Sequence, residues 1–364
     1  MCLQDYEILS GDTLVAVWSN KELRVLDPGL LPQFLRRVSN ADMWLETRAV
    51  DSHRPNSRML KKALRMKERD DVASVVRANG ATITDNYWIR PVGSDLEYSK
   101  IRFDAAYYKK KASKSMANLA LTGSSRSFNY VADNPTALAA ELTNIGSFEK
   151  CWKITDGQWW LYKKATQYEA FSEVYISNLC KILDIPCAVY KWDGQGYVKT
   201  LDFTKGKTNF EPALSFMGDN EEYEDVFSEL DKLCPAALPD FIKMVFLDAL
   251  VLNPDRHTAN FGLLRNQKTG EYISLAPCFD HNMALISKGY PKGEVRSDLL
   301  IRLFRELIES HPECKECIPV LTREMAIEAF NQTKMKIKRD CVVDYVMNRY
   351  KLIIKDLYSN DHNN

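Results

Sequence analysis

The apolar run at 244–252, broken only by Asp248, is the strongest hydrophobic signal in the chain, and it extends back to Leu238 as one buried helix. Residues 168–183 place Phe171, Val174, Leu179, Ile182 and Leu183 on one stripe, and Asp184 and Pro186 end that helix. Further helices with charged outer faces are expected over 225–233, 297–308, 323–332 and 340–357. Residues 28–38 suit a short helix behind a proline. Strand-like alternation or short apolar runs occupy 14–19, 158–164, 187–192, 197–203 and 272–275, and 82–91 reads as a loop with a short extended piece. Asp156-Gly157 is a type I′ hairpin signal ahead of QWWLYKK. No repeat or low-complexity tract interrupts the pattern.

Strand-rich and helix-rich stretches segregate along the chain. The fold class expected is α+β and bilobal, with a β-rich N-lobe over 121–205 and a helical C-lobe over 206–364. Residues 1–120 form an N-terminal accessory region, and the charge run KKKASK at 109–114 reads as a linker boundary. The basic stretch 54–69 reads as a solvated helix face in preference to a phosphate-backbone contact.

Composition adds mainly exclusions. The 364 residues hold 49 Lys+Arg and 49 Asp+Glu, so the net charge is zero and global electrostatics points to neither nucleic acid nor membrane. Nine scattered cysteines suit reduced thiols in a cytoplasmic protein rather than a disulfide scaffold. Cys314 and Cys317 with His311 lack the second pair that a zinc site needs. The opening residues MCLQDYEILSGD show no signal peptide, and no apolar run is long enough for membrane insertion.

Candidate chemistry concentrates in NPDRHTANFG (253–262) and PCFDHN (277–282). Phosphoryl transfer needs a carboxylate to orient or deprotonate the attacking hydroxyl, and a carboxylate with an amide oxygen to hold magnesium on the phosphates. Asp255, Asn260 five residues later, and Asp280 after the 272–275 strand fit those jobs in that order. Upstream, Gly146 and the small and basic residues after it suit a loop whose free N–H groups cover phosphates, with Lys150 adding a point charge. Of Lys163 and Lys164, Lys163 is favoured as the phosphate-contacting lysine, the alternative being that both face water. Glu173 either orients that lysine or is a charge favoured near a helix N-terminus. Asp202 and Phe203 lie where a chain passing between lobes would contact adenine.

With GSFEK at 146–150, these segments resemble the HipA-type serine/threonine kinases of bacteria, which include toxin kinases and free-standing relatives. The resemblance covers about residues 140–350, and a TDNYW stretch at 84–88 extends it towards undescribed relatives. It implies that Asp255 is catalytic with His257 close to the transferred phosphate, and that Asn260 and Asp280 hold Mg2+. It further implies that Gly146, Ser147 and Lys150 belong to the ATP phosphate loop, and that Lys163 is the strand lysine. A hydroxyl ahead of this loop can be autophosphorylated in the family, which makes Thr143 and Ser147 the candidates. The implied activity uses ATP and Mg2+ on a serine or threonine of a protein substrate, with an antitoxin or regulatory partner and nucleic acid engaged only indirectly. Two departures stand out: His281-Asn282 follows Asp280 where eukaryotic kinases have Phe-Gly, and Glu149 occupies the usual proline position. The DRHxxN pattern also occurs in phosphoinositide kinases. A lipid or small-molecule kinase is therefore one alternative, and a nucleotide-binding pseudokinase or regulatory binding protein is another.

Overall fold

The computed structural model describes residues 5–51, 53–66, 71–135, 139–291 and 293–358. It divides into two compact units: residues 1–164, 199–211 and 264–272, and residues 165–198, 212–263 and 273–364. The division runs through strands, so each unit takes its share of the sheets.

The first unit opens with β1 (Tyr6–Ser10), β2 (Thr13–Ser19) and β3 (Glu22–Val25), which join β4 (Tyr87–Pro91) in a sheet of order β3-β2-β1-β4. The β1 pairings are antiparallel, with Ile8 opposite both Ala16 and Ile89. Short helices α1 (Gln33–Val38), α2 (Ala41–Glu46), α3 (Ser57–Ala63) and α4 (Asp71–Arg77) lie between β3 and β4 in the chain. Ile8, Val15, Phe34, Leu35, Trp44 and Val75 share one core. The basic stretch expected over 54–69 is helical only over α3, and its residues 67–69 lie outside the described residues.

After β4 come α5 (Tyr98–Ile101), α6 (Ala105–Lys109), α7 (Lys111–Thr122) and α8 (Ser125–Asp133). The KKKASK run is therefore not a linker: it ends α6 and begins α7. Its lysines face outward, while Ser113, Met116, Leu119 and Leu121 of α7 are buried. Strands β5 (Lys150–Thr155) and β6 (Gln158–Lys164) then form the expected hairpin. Asp156 and Gly157 take φ of 52° and 75°, the two positive values that a type I′ turn requires.

The second unit opens with α9 (Gln167–Ile182), whose N-terminus is closed by a reciprocal Thr166–Glu169 capping box. Next come β7 (Tyr190–Trp192) and β8 (Tyr197–Leu201), which extend the β5-β6 ladder in the order β5-β6-β8-β7. A third sheet, of order β11-β10-β9, contains β9 (Thr208–Pro212), β10 (Gly262–Asn266) and β11 (Tyr272–Leu275). The remaining helices are α10 (Leu214–Met217), α11 (Tyr223–Leu233), α12 (Leu238–Val251), α13 (Leu299–Ser310), α14 (Arg323–Thr333) and α15 (Arg339–Tyr358). Helix α12 is buried on nearly every side, as its all-round apolar sequence requires. Among the described residues, no helix is long and apolar enough to cross a membrane.

Candidate active site

In the second unit, α12 ends on Leu252, whose left-handed backbone (φ 51°) lets its N–H bond the Asp248 carbonyl and turns the chain sharply. The turn delivers Asp255, which is half-buried, His257, which is exposed, and Asn260, which is buried. Asn260 Nδ2 donates to the Asp255 carbonyl at 2.9 Å, closing the loop on itself. Its N–H also donates to the His257 carbonyl at 2.7 Å. With the amide nitrogen committed, Oδ1 of Asn260 is the atom left to act as an acceptor or metal ligand.

Arg256 organises this loop. Its Nε and Nη2 bond the two carboxylate oxygens of Asp248 at 2.8 and 3.0 Å. Its Nη1 donates to the carbonyls of Asn260 at 2.7 Å and Phe279 at 2.8 Å. One planar fork thus holds helix α12, the Asp255–Asn260 loop and the residue before Asp280. Burial works against the Arg256 charge, and Asp248 more than offsets it, holding the guanidinium above its ordinary pKa.

Asp280 sits in the left-handed region at φ 62°, a conformation that Asp tolerates better than most residues. Its N–H donates to the Tyr190 hydroxyl at 3.0 Å. Burial, and then the nearby Glu173 and Asp280 carboxylates, push the Tyr190 phenol well above its usual pKa, so it remains neutral. The next residue, His281, is fully buried, and its N–H donates to Glu173 Oε2 at 2.9 Å. Its Nε2 lies 3.1 Å from Arg256 Nη2 and must accept there, which places the ring proton on Nδ1, 3.7 Å from Glu173 Oε2. His281-Asn282 thus replaces Phe-Gly with a residue wired to both Arg256 and α9.

In the first unit, the β5–β6 register sets Lys150 directly opposite Lys163. Both are buried, on one face of the hairpin. Lys164 points the other way, is exposed, and bonds Glu149 Oε1 at 3.1 Å. Glu149 also accepts the Lys164 N–H at 2.9 Å through its carbonyl, so it prolongs the hairpin ladder. Gly146 has φ 103°, and a Cβ there would collide with Lys150 Nζ. Ser147 is exposed, whereas Thr143 is buried with its hydroxyl donating to the Ala81 carbonyl at 2.6 Å. Asp202 is buried, its N–H bonds the Trp159 carbonyl at 3.0 Å, and its Oδ1 accepts from both N–H and hydroxyl of Thr204. Phe203 packs edge-on against Phe210 at 5.5 Å.

Two participants escaped sequence reasoning. Asp248 read only as an interruption in an apolar run, although a lone acid inside a buried helix is itself a sign of a committed partner. Tyr190 carried no signal. Among the described residues, no three His, Cys, Asp or Glu side chains are grouped to hold a metal. Asn260 and Asp280 do suit Mg2+ carried on a nucleotide, because that ion is typically held by one or two protein ligands together with phosphates and water.

No family model matches this chain, and no curated protein does. Solved structures do. HipA of Shewanella oneidensis MR-1, from the complex of that toxin–antitoxin system with HipB and its operator DNA, matches with a TM-score of 0.57 and 11% identity. The match covers 97% of this chain and 96% of HipA. The chain has a HipA-like fold. The α+β, kinase-like class expected from the catalytic segments is the class found. The proinflammatory kinase CtkA of Helicobacter pylori also matches, over 59% of this chain and 91% of its own, with a TM-score of 0.46 and 16% identity.

Proposed function

We propose that the protein is an ATP- and Mg2+-dependent serine/threonine protein kinase of the HipA-like type. The observation that carries this reading is the Arg256 fork, which locks the Asp255–Asn260 loop to the residue preceding Asp280. A metal-binding amide and carboxylate need that kind of fixed spacing, and a kinase catalytic loop and metal-binding acid are held in the same relation.

Asp255 orients the acceptor hydroxyl and takes its proton as the oxygen attacks the γ-phosphorus, whose bond to the β–γ bridging oxygen breaks with release of ADP. His257, exposed two residues on, donates to or contacts the transferred phosphoryl group. Asn260 Oδ1 and the Asp280 carboxylate would hold Mg2+, which neutralises charge on the phosphates when bound. Lys150 and Lys163 bind phosphate oxygens, and the N–H groups around Gly146 and Ser147 cover them. Glu173 holds His281 beside Asp280, and the segment at Asp202 and Phe203 contacts adenine. A regulatory or antitoxin-like protein partner fits the HipA-like fold, since the Shewanella HipA was solved with HipB.

The test incubates the purified protein with labelled ATP and Mg2+ and maps the label by mass spectrometry. Label on a serine or threonine of the protein or of an added protein acceptor supports the reading. Label only on lipid or a small molecule moves the assignment to that acceptor class. Neither ATP binding nor label ends the kinase reading.

A further inference from the structure

Arg54 lies in the accessory region, to which no chemistry has been assigned, yet it is only 1% exposed. Its Nη1 donates to the Asn144 carbonyl at 3.3 Å, and its Nη2 donates to the carbonyls of Lys150 and, at 3.5 Å, of Ala120 at the end of α7. Asn144 and Lys150 immediately bracket residues 145–149. One guanidinium therefore bonds the Asn144 carbonyl ahead of the phosphate loop and the carbonyl of Lys150, its last residue, and anchors both to α7.

The surroundings reinforce the same segment. Glu141 is buried, with Oε2 accepting from Asn144 Nδ2 at 3.1 Å and Oε1 accepting from the Trp152 N–H at 3.2 Å. Asn56, two residues beyond Arg54, donates to the Ala120 carbonyl at 3.0 Å. The Val50 N–H donates to the Leu142 carbonyl at 2.9 Å. Val50 thus holds the approach to the loop, and Arg54 holds both of its ends.

We infer that Arg54 is a positioning residue for the phosphate loop, through which the accessory region sets the affinity of the kinase for the phosphates of ATP. This rests on the phosphate-loop reading of 146–150. A loop whose ends are fixed loses less freedom when its N–H groups close on an anion, so its phosphate affinity rises. The planar fork matters because an ammonium at the same place is a compact point charge without the fixed set of diverging donors. Fixing 145–149 also keeps Gly146 against Lys150, where the glycine leaves room for the lysine head group.

The experiment compares Mg-ATP with adenosine by calorimetry on the full chain. Adenosine lacks the phosphates, so it reports the base pocket alone. Arg54→Lys should weaken Mg-ATP by about tenfold or more while changing adenosine by less than about twofold. A merely structural role for Arg54 would weaken both ligands together. Where Arg54→Lys fails to fold, the pair Arg54→Met with Glu141→Gln removes both buried charges at once and avoids leaving a carboxylate alone. The same selective loss is expected from that pair. A parent chain that binds Mg-ATP no better than adenosine overturns the phosphate-loop reading and the inference with it. A parent that strongly prefers Mg-ATP, with variants that keep the same preference, overturns the role of Arg54 alone.

Discussion

Arg256 and Asp248 form a two-point ion pair across the end of α12, with contacts of 2.8 and 3.0 Å and both side chains buried. The pair matters less for net stability than for what its removal would expose. Asp248→Ala leaves a desolvated guanidinium without its counter-charge, which costs about 3–5 kcal/mol. Urea denaturation should show that loss, together with a collapse of phosphoryl transfer. A variant within about 0.5 kcal/mol of the parent would mean that water or another group reaches Arg256 readily.

Asp255→Asn tests the hydroxyl-orienting role directly. The amide keeps the size of the side chain but cannot take a proton, so turnover should fall by roughly two to four decades. ATP binding should stay near the parent value, because the phosphate and metal contacts proposed above lie on other residues. Undiminished transfer of label from ATP by this variant would remove Asp255 from the mechanism.

Asp280→Asn separates metal binding from catalysis. Exchanging a charged ligand for a neutral one is worth on the order of 1.5–3 kcal/mol, or roughly tenfold or more in affinity. Calorimetric titration with ATP should show that loss in Mg2+ and a much smaller one in EDTA. Equal affinities for parent and variant in Mg2+ would count against Asp280 as a metal ligand.

The candidate site could be proposed from the sequence because its information is local. Asp255, Asn260 and Asp280 are recognisable by residue type and spacing, and the Asp156-Gly157 turn by its demand for two positive φ angles. Lys163 could be separated from Lys164 by strand alternation, and the two do lie on opposite faces, one buried and one exposed. Helix α7 was missed because its lysines dominate the string, while its buried face mixes Ser113, Ala117 and Ala120 with Met116, Leu119 and Leu121. Arg54 was hidden for another reason. Its partners are backbone carbonyls 66, 90 and 96 residues away, and a carbonyl leaves no mark in the sequence. A basic run therefore read as solvated where one of its members is among the most buried side chains of the fold.

Asp202 supplies a pH dependence with a definite sign. Burial raises its pKa above the ordinary aspartate value, and the hydrogen bonds from Thr204 only partly oppose that. A carboxyl whose folded-state pKa is raised contributes stability that is fully present below its unfolded pKa of about 3.9. That contribution is lost as pH rises through the folded pKa. Asp202→Asn keeps an Oδ1 acceptor for Thr204 and cannot ionise. Its stability relative to the parent should therefore climb as pH increases above about 4. Denaturant melts of both proteins across pH 4 to 7 read the difference, and a flat or falling difference would contradict a buried carboxyl at this position.

Thr143 and Ser147 make opposite predictions for self-phosphorylation. The Thr143 hydroxyl is buried and already donates to the Ala81 carbonyl, so phosphorylating it would first require opening that packing. Ser147 is exposed in the loop, as are nearby Ile145 and adjacent Phe148 at 48% and 37%. A dianionic phosphate on Ser147, one residue from Gly146, would compete with ATP phosphates for the same N–H groups and for Lys150. Mass spectrometry after incubation with Mg-ATP should find label on Ser147 and not on Thr143, and no label at either position in Asp255→Asn. The labelled fraction should bind ATP more weakly than the unlabelled one. Ser147→Ala should lose the label and keep full ATP affinity throughout the incubation. Label accumulating on Thr143 of the folded protein would show that this segment opens far more readily than its packing implies.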